Sequence, residues 1–377
     1  MKPVTALLVT AGAIWILAIV IMLADTQAQM TTVERVTDSA WWPTKAGIAT
    51  GLYAGTVTCT RCHQRIAESQ ATTAMARTAQ RAADSESLRA HRVLTFKAGD
   101  QVHEIRTENG VSLYSVSDAK NTISNVLGWA LGAGKVGQTF VFERDGAIYE
   151  ARASYFEEKR GLDVTPGRTL ERPADTHAAI GRRLQPAETR RCLACHSTVL
   201  TLRDGLVSDL VPGVTCEACH GPGKAHGDLV QEDRVSEGRA AIVNPASLNA
   251  VDAVDFCGAC HGTYWDVTLA GEKGVKALRS QPFRLQSSKC WGDGDRRITC
   301  VACHDPHQPL EREPQSYDGR CLQCHRATDG NSVSGAHARE CSANQRERCT
   351  SCHMPRYRVE EMHASFTDHL IRVVRRE

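Results

Sequence analysis

The chain has 377 residues, a formal net charge of +2 and 16 cysteines. Its length permits two or three domains, and its near-neutral charge without a basic stripe argues against nucleic acid as a partner. Cysteine of this density is typical of disulfides in a secreted chain or of zinc in a cytosolic one. The spacing of the cysteines favours neither.

The N-terminus predicts export. Lys2 is followed by an uncharged run over residues 4–24, long enough to span a bilayer as a helix. This run is longer than the apolar part of most cleaved signal peptides, so it favours a retained membrane anchor, although the small residue Ala28 leaves a cleaved signal open. We therefore assign residues 1–30 to an anchor or signal peptide and residues 31–58 to a linker.

Residues 59–186 are expected to hold one haem site and a β-rich insert. Short runs with alternating polarity cover residues 91–96, 102–107, 111–116, 139–144 and 147–155, and turn signals at Gly99, Gly110 and Gly146 separate them. These runs predict a small antiparallel insert. His91 and His103 fall on its strands, where we expect them at the surface.

Residues 187–377 show little sustained helical periodicity. We expect short helices and loops there, and therefore a mainly α and irregular fold in which haems form the core, supplemented by the β insert and the N-terminal apolar helix.

Seven Cys-x-x-Cys-His motifs indicate the chemistry of the chain. Two thiols three positions apart can reach the two vinyl groups of one porphyrin, and the adjacent histidine becomes the proximal iron ligand. Zinc knuckles also use Cys-x-x-Cys pairs, but zinc does not explain a histidine after every pair. The sequence thus predicts seven haem c groups, one each at Cys59, Cys62 and His63; Cys192, Cys195 and His196; Cys216, Cys219 and His220; Cys257, Cys260 and His261; Cys300, Cys303 and His304; Cys321, Cys324 and His325; and Cys349, Cys352 and His353. We number these motifs one to seven.

Cys290 and Cys341 remain outside the motifs. In an oxidising compartment a disulfide between them is the favoured interpretation, and two unpaired thiols, or a thiolate near a haem, are the alternatives.

Low-spin haems need a second axial ligand, usually His or Met. His226 and His307 lie too close to their own motifs to face them, so each is expected to bind a neighbouring haem. The full set of candidate distal ligands is His177, His226, His307, His337, His363 and His369. Six candidates for seven haems leave at least one iron for Met75, on a predicted helix over residues 66–82, or open. The first motif is the one without an obvious second ligand.

Several stretches resemble bacterial multihaem cytochromes of the cytochrome c-552/c-554 type. The resemblance is carried by Cys216-Glu-Ala-Cys219-His220-Gly-Pro-Gly-Lys-Ala-His226, Phe256-Cys257-Gly-Ala-Cys260-His261-Gly, Cys300-Val-Ala-Cys303-His304-Asp-Pro-His307 and Phe366-Thr-Asp-His369-Leu-Ile-Arg372. It implies haems stacked in parallel and perpendicular pairs. The sequence departs from the family after the first motif, where Ser69 begins a stretch without the expected histidine, and it lacks the Cys-x-x-Cys-Lys motif of pentahaem nitrite reductases.

These features favour a periplasmic electron carrier with seven haems, tethered by the N-terminal helix and serving redox partner proteins of a respiratory chain. The alternative is an oxidoreductase that acts on a small nitrogen compound or oxyanion at one five-coordinate haem. A structural subunit of a membrane respiratory complex is a third interpretation.

Overall fold

The computed structural model describes residue 32 and residues 48–291, 297–325 and 347–372. Within these ranges, fourteen strands form four antiparallel sheets. The predicted mainly α and irregular fold is therefore wrong, because the strands dominate residues 79–212 and recur near residue 360. The predicted apolar helix over residues 4–24 lies outside the described residues. Across the ranges that are described, every helix is too short or too polar to cross a membrane.

The first sheet is a simple meander in the order β2-β3-β4-β5. Its loops after β2, at Gly99, and after β3, at Asn109 and Gly110, have positive φ, as tight hairpin turns between twisted strands require. Its strands are β2 (Val93–Ala98), β3 (Gln101–Glu108), β4 (Val111–Ser117) and β5 (Thr122–Val126).

The second sheet has the order β1-β6-β7-β8-β10, with β9 paired to β8. The turn from β7 to β8 is formed by Asp145 and Gly146, both at positive φ. Its strands are β1 (Ala79–Arg81), β6 (Trp129–Leu131), β7 (Gly137–Arg144), β8 (Ala147–Phe156), β9 (Gly161–Val164) and β10 (Gly181–Arg183). Three helices accompany these sheets, namely α1 (Thr56–Gln70), α2 (Glu86–Ala90) and α3 (Thr176–Ala179).

The two sheets enclose one apolar core, and we call residues 79–183 the β region. Ile105, Tyr114, Phe140 and Tyr155 are all at most 1% exposed within it. His103 shares the inward face of β3 with Ile105 and is 0% exposed. The expectation that it lies at the surface was wrong, because its alternation partner on the strand is apolar and buried.

The described residues from 186 to 372, which we call the motif region, consist mainly of short helices. Two hairpins interrupt them, β11 (Ser197–Arg203) with β12 (Leu206–Pro212) and β13 (Arg356–Val359) with β14 (Ala364–Thr367). The helices are α4 (Pro186–Cys195), α5 (Cys216–His220), α6 (Lys224–Gln231), α7 (Val235–Ala240), α8 (Ala250–His261), α9 (Tyr264–Thr268), α10 (Val275–Leu278), α11 (Gln281–Gln286), α12 (Cys300–Cys303), α13 (Asp318–His325) and α14 (Cys349–His353).

Candidate haem-binding array

Each motif lies on a short helix, and its histidine stands where the helix ends or bends. His63 interrupts α1 with φ −112° and ψ 36°, and His196 follows α4 with φ −108° and ψ 7°. Two cysteines at positions i and i+3 share one helix face. The backbone then changes direction at the histidine. This change is needed if the imidazole is to reach the iron of a porphyrin that is bound through both thiols. After His261 that turn needs Gly262 at φ +80°, where a Cβ would meet Ser280 Oγ at 2.5 Å.

Backbone carbonyls orient three of the proximal imidazoles. Nδ1 of His196 lies 2.8 Å from Thr78 O, Nδ1 of His220 lies 2.9 Å from Val243 O, and Nδ1 of His353 lies 2.7 Å from Arg372 O. A carbonyl can only accept a hydrogen bond, so Nδ1 carries the proton and donates it. Nε2 then keeps its lone pair for a metal, which is the arrangement that metal-ligating histidines use.

The protonation of the buried imidazoles also suits metal binding. Burial lowers the pKa of His196, His304 and His369. The pKa of His261 falls to about 4, first because of burial and then because Arg279 lies nearby. These rings are therefore neutral at neutral pH, and the neutral ring is the form that coordinates a metal.

Three pairs of histidines face each other at a separation that fits one iron. Metal–imidazole bonds are about 2 Å long, so two rings on opposite sides of one metal have centres about 6 Å apart. The ring centroids are 6.5 Å apart for His63 and His226, 6.0 Å for His220 and His307, and 6.2 Å for His304 and His369. Each pair joins a proximal histidine to a candidate distal one.

Two of the distal candidates are oriented like proximal ligands. His226 donates from Nδ1 to Gly238 O at 2.8 Å, and His369 donates to Thr367 O at 3.1 Å. Both therefore present Nε2 on the side away from the carbonyl. His226 is the partner that sequence reasoning did not find for the first motif. Its position after the third motif indicated a neighbouring haem, but only the fold shows which one.

The other candidates are placed differently. His363 Nε2 lies 3.0 Å from Asp163 Oδ2, and the exposed His177 contacts Arg144 through Nδ1 at 3.0 Å. Met75 lies beyond the end of α1, which stops at Gln70 rather than continuing to residue 82. His337 lies outside the described residues. Cys341 does too, so its pairing with Cys290 stays a prediction.

A cavity of about 550 Å³ lies between the first motif and the loop after the fifth motif. Its walls include Cys62 and His63 from one side and Asp305 and His307 from the other. This volume lies in the range of pockets that hold cofactors and drug-sized ligands. The donor set, the ring separations and the cavity together fit haem.

Thiols from different motifs meet in three places, which we call the thiol junctions. Cys59 hydrogen-bonds Cys216, Cys257 hydrogen-bonds Cys300, and Cys321 hydrogen-bonds Cys349. Since each of these residues is the first cysteine of its motif, the contacts bring motifs one and three, four and five, and six and seven side by side.

Further contacts connect these pairs into one array. The Cys195 thiol donates to Ala259 O at 3.7 Å, which joins motif two to motif four. Cys303 lies close enough to Cys321 for the two thiols to affect each other electrostatically, which joins motif five to motif six. The His220–His307 pair joins motif three to the loop after motif five. Motif five and the loop that follows it thus lie next to motifs three, four and six.

The folded motifs have the features of one class of protein, the multihaem c-type cytochromes, which transfer electrons. The family model for cytochrome c554 and c-prime matches residues 165–221, which include motifs two and three. The crystal structure of the outer cell wall cytochrome OcwA is similar, with a TM-score of 0.48 and 16% identity over 86% of this chain and 80% of that one. No curated protein sequence matches the chain.

Proposed function

We propose that all seven motifs carry haem c and that the protein moves electrons along them outside the cytoplasm, in the periplasm. The observation that carries this proposal is the set of three facing histidine pairs at 6.0–6.5 Å. Two imidazoles on one iron make a six-coordinate, low-spin centre that is suited to electron transfer rather than to binding a substrate.

The contacts between motifs support a branched array. One arm runs from motif five through motif three to motif one, a second through motif four to motif two, and a third through motif six to motif seven. When bound, the haems supply irons that exchange single electrons with near neighbours. The chain determines which haems are neighbours in two ways. It brings thiols of different motifs together at the thiol junctions, and its facing histidine pairs join separate segments.

The residues around each imidazole tune the array. A hydrogen bond from Nδ1 to a carbonyl raises the basicity of Nε2 and so favours the ferric state. His220 and His226 make such bonds on their two respective centres, to Val243 O and Gly238 O. We infer that these centres have low reduction potentials and that redox partner proteins of a respiratory chain dock near the ends of the arms.

Electron paramagnetic resonance of the oxidised protein, combined with the intact mass, tests the proposal. A mass equal to the chain plus seven haems and signals from low-spin ferric haem are expected. The His226→Ala variant should convert one haem to a high-spin form, whereas His177→Gln, at an exposed histidine, should leave the spectrum unchanged. A high-spin signal in the native protein that shifts with nitrite would instead favour the oxidoreductase interpretation.

A further inference from the structure

A buried carboxylate joins motif three to the helix that carries motif one. Glu217 follows Cys216 in α5 and is 3% exposed. Its carboxylate accepts hydrogen bonds from Ala54 N at 2.7 Å and from Gly55 N at 2.9 Å, immediately before α1 begins. Oε1 also accepts from Gly223 N at 2.7 Å. One side chain thus satisfies backbone donors at the start of one motif helix and just after the other.

A second carboxylate does the same for motifs six and seven. Asp318 is the first residue of α13 and is 7% exposed. It accepts hydrogen bonds from Arg348 N at 2.5 Å and from Cys349 N at 2.9 Å, at the start of α14. Here the carboxylate precedes Cys321 by one helical turn.

Both carboxylates stand at a thiol junction. Glu217 is adjacent to Cys216, whose thiol contacts Cys59, and Asp318 contacts Cys349, whose thiol contacts Cys321. The thiols become the attachment points of the porphyrins. A residue that holds two such thiols side by side therefore also holds the edges of their two porphyrins side by side.

We propose that Glu217 and Asp318 are positioning residues that hold the haems of motifs one and three, and of motifs six and seven, in adjacent pairs. Their negative charge also lowers the reduction potentials of those pairs, because ferric haem carries one more positive charge than ferrous haem and a buried carboxylate stabilises it. The proposal rests on the proposed haem array, but it does not depend on where the electrons go.

The third junction provides an internal comparison. Cys257 and Cys300 meet beside an apolar cluster that includes Val254, 0% exposed, and Trp291, 6% exposed. Cys300 itself packs against this cluster. Changes at Glu217 or Asp318 should therefore leave the pair of motifs four and five unaltered.

The test compares Glu217→Gln and Asp318→Asn with Glu237→Gln in the full haem-loaded protein. Glu237 is an exposed residue of α7 that pairs with Arg234 at 2.7 Å, so it controls for loss of one negative charge. Intact mass counts the haems, spectropotentiometric titration gives the reduction potentials, and electron paramagnetic resonance reports magnetic coupling between neighbouring irons.

Glu217→Gln and Asp318→Asn should each raise the potentials of two haems and weaken their coupling, and the two variants should affect different haems. Loss of haem confined to motifs one and three in Glu217→Gln, located by peptide mass, also supports the proposal. Glu217→Asp keeps the negative charge but on a shorter side chain. It should therefore weaken the magnetic coupling, as Glu217→Gln does, but raise the reduction potentials less than Glu217→Gln.

Unshifted potentials and unchanged coupling in a fully loaded Glu217→Gln protein would overturn the positioning role while leaving the haem array intact. That role would be excluded equally if the two variants affect the same haems, or if Glu237→Gln has an equal effect. Native protein that lacks haem at motif one or motif three would contradict the proposed array itself.

Discussion

The β region and the motif region differ in what fills their interiors. In the β region, aromatic and aliphatic side chains such as Tyr114, Phe140 and Tyr155 form a continuous core. In the motif region, by contrast, helices α6, α10, α12 and α14 bury none of their residues. Its own small apolar cluster is built on Ala250, Val254, Leu285 and Trp291. A further cluster joins its residues Leu193, Ala194 and Leu200 to the second sheet of the β region.

This difference indicates two ways of meeting the entropy cost of folding. When a chain segment folds it loses conformational entropy, and the burial of apolar surface has to offset that loss. The β region does so with side chains that the sequence supplies. The motif region buries fewer of them, so on the proposed haem array porphyrins attached through cysteine would fill part of its interior, and ligation by histidine would hold the short helices around them.

Removing haem should produce the largest effect. In protein made without haem attachment, we expect β3, β4, β7 and β8 to keep slowly exchanging amides, because the core around Tyr114, Phe140 and Tyr155 contains no residue of a haem-binding motif. The helices α5, α6, α12 and α14 should exchange almost freely. The opening free energies should differ by several kcal/mol, roughly the span between frayed segments and the global stability of a domain. Hydrogen exchange followed by mass spectrometry measures this.

The haem-loaded protein is the control for that experiment, and there both regions should be protected. Equal protection of both regions in the haem-free chain would show that the motif region has an adequate core of its own. Equal loss in both would show that the β region depends on haem as well.

A cavity in the β core should give the next largest effect. Phe140 is 0% exposed, and Phe140→Ala should destabilise the β region by about 3–5 kcal/mol. The matched change at an exposed position of the neighbouring sheet, Val126→Ala at 56% exposure, should alter stability by less than about 0.5 kcal/mol. Urea unfolding followed by far-ultraviolet circular dichroism gives both values.

The haem absorbance recorded in the same urea titrations sharpens the comparison. If the two regions unfold independently, the Soret band of Phe140→Ala should change at the same urea concentration as in the native protein. A Soret transition that moves together with the dichroism would mean that the two regions unfold as one unit.

Sequence patterns predicted local features of this structure well. The five predicted runs correspond to β2, β3, β4, β7 and β8, since alternation and Gly-containing turns are encoded within a few residues. The hairpin of β11 and β12 was missed although Asp204 and Gly205 form its turn at positive φ, which is the same signal. The short strands β6 and β10 have too few residues to show a period.

For the candidate haem sites too, the sequence predicted the local features but not the long-range contacts. Each set of two cysteines and a proximal histidine lies within five consecutive residues, so the sequence alone identifies it. The pairing of His226 with His63, and of His369 with His304, joins residues far apart in sequence. No local spacing encodes such contacts, because they depend on how the motif helices pack.

His103 provides a pH-dependent test of the side-chain core. Burial, followed by the nearby Arg152 and Arg168, lowers its pKa to about 4, whereas an unfolded histidine titrates near 6.5. Between these values the unfolded chain binds a proton that the folded β region cannot bind. Stability is therefore retained above about pH 6.5 and falls as the pH drops towards 4, with a loss of about 2 kcal/mol at about pH 5.

Urea unfolding near pH 8 and near pH 5 measures this loss, and His103→Asn should remove most of it. The Asn side chain can still hydrogen-bond the Tyr114 hydroxyl, which lies 2.7 Å from His103 Nδ1, but it does not titrate. His177→Gln, at an exposed histidine, should leave the pH dependence as in the native protein. If His103→Asn keeps the full pH dependence, the acid sensitivity does not originate at His103.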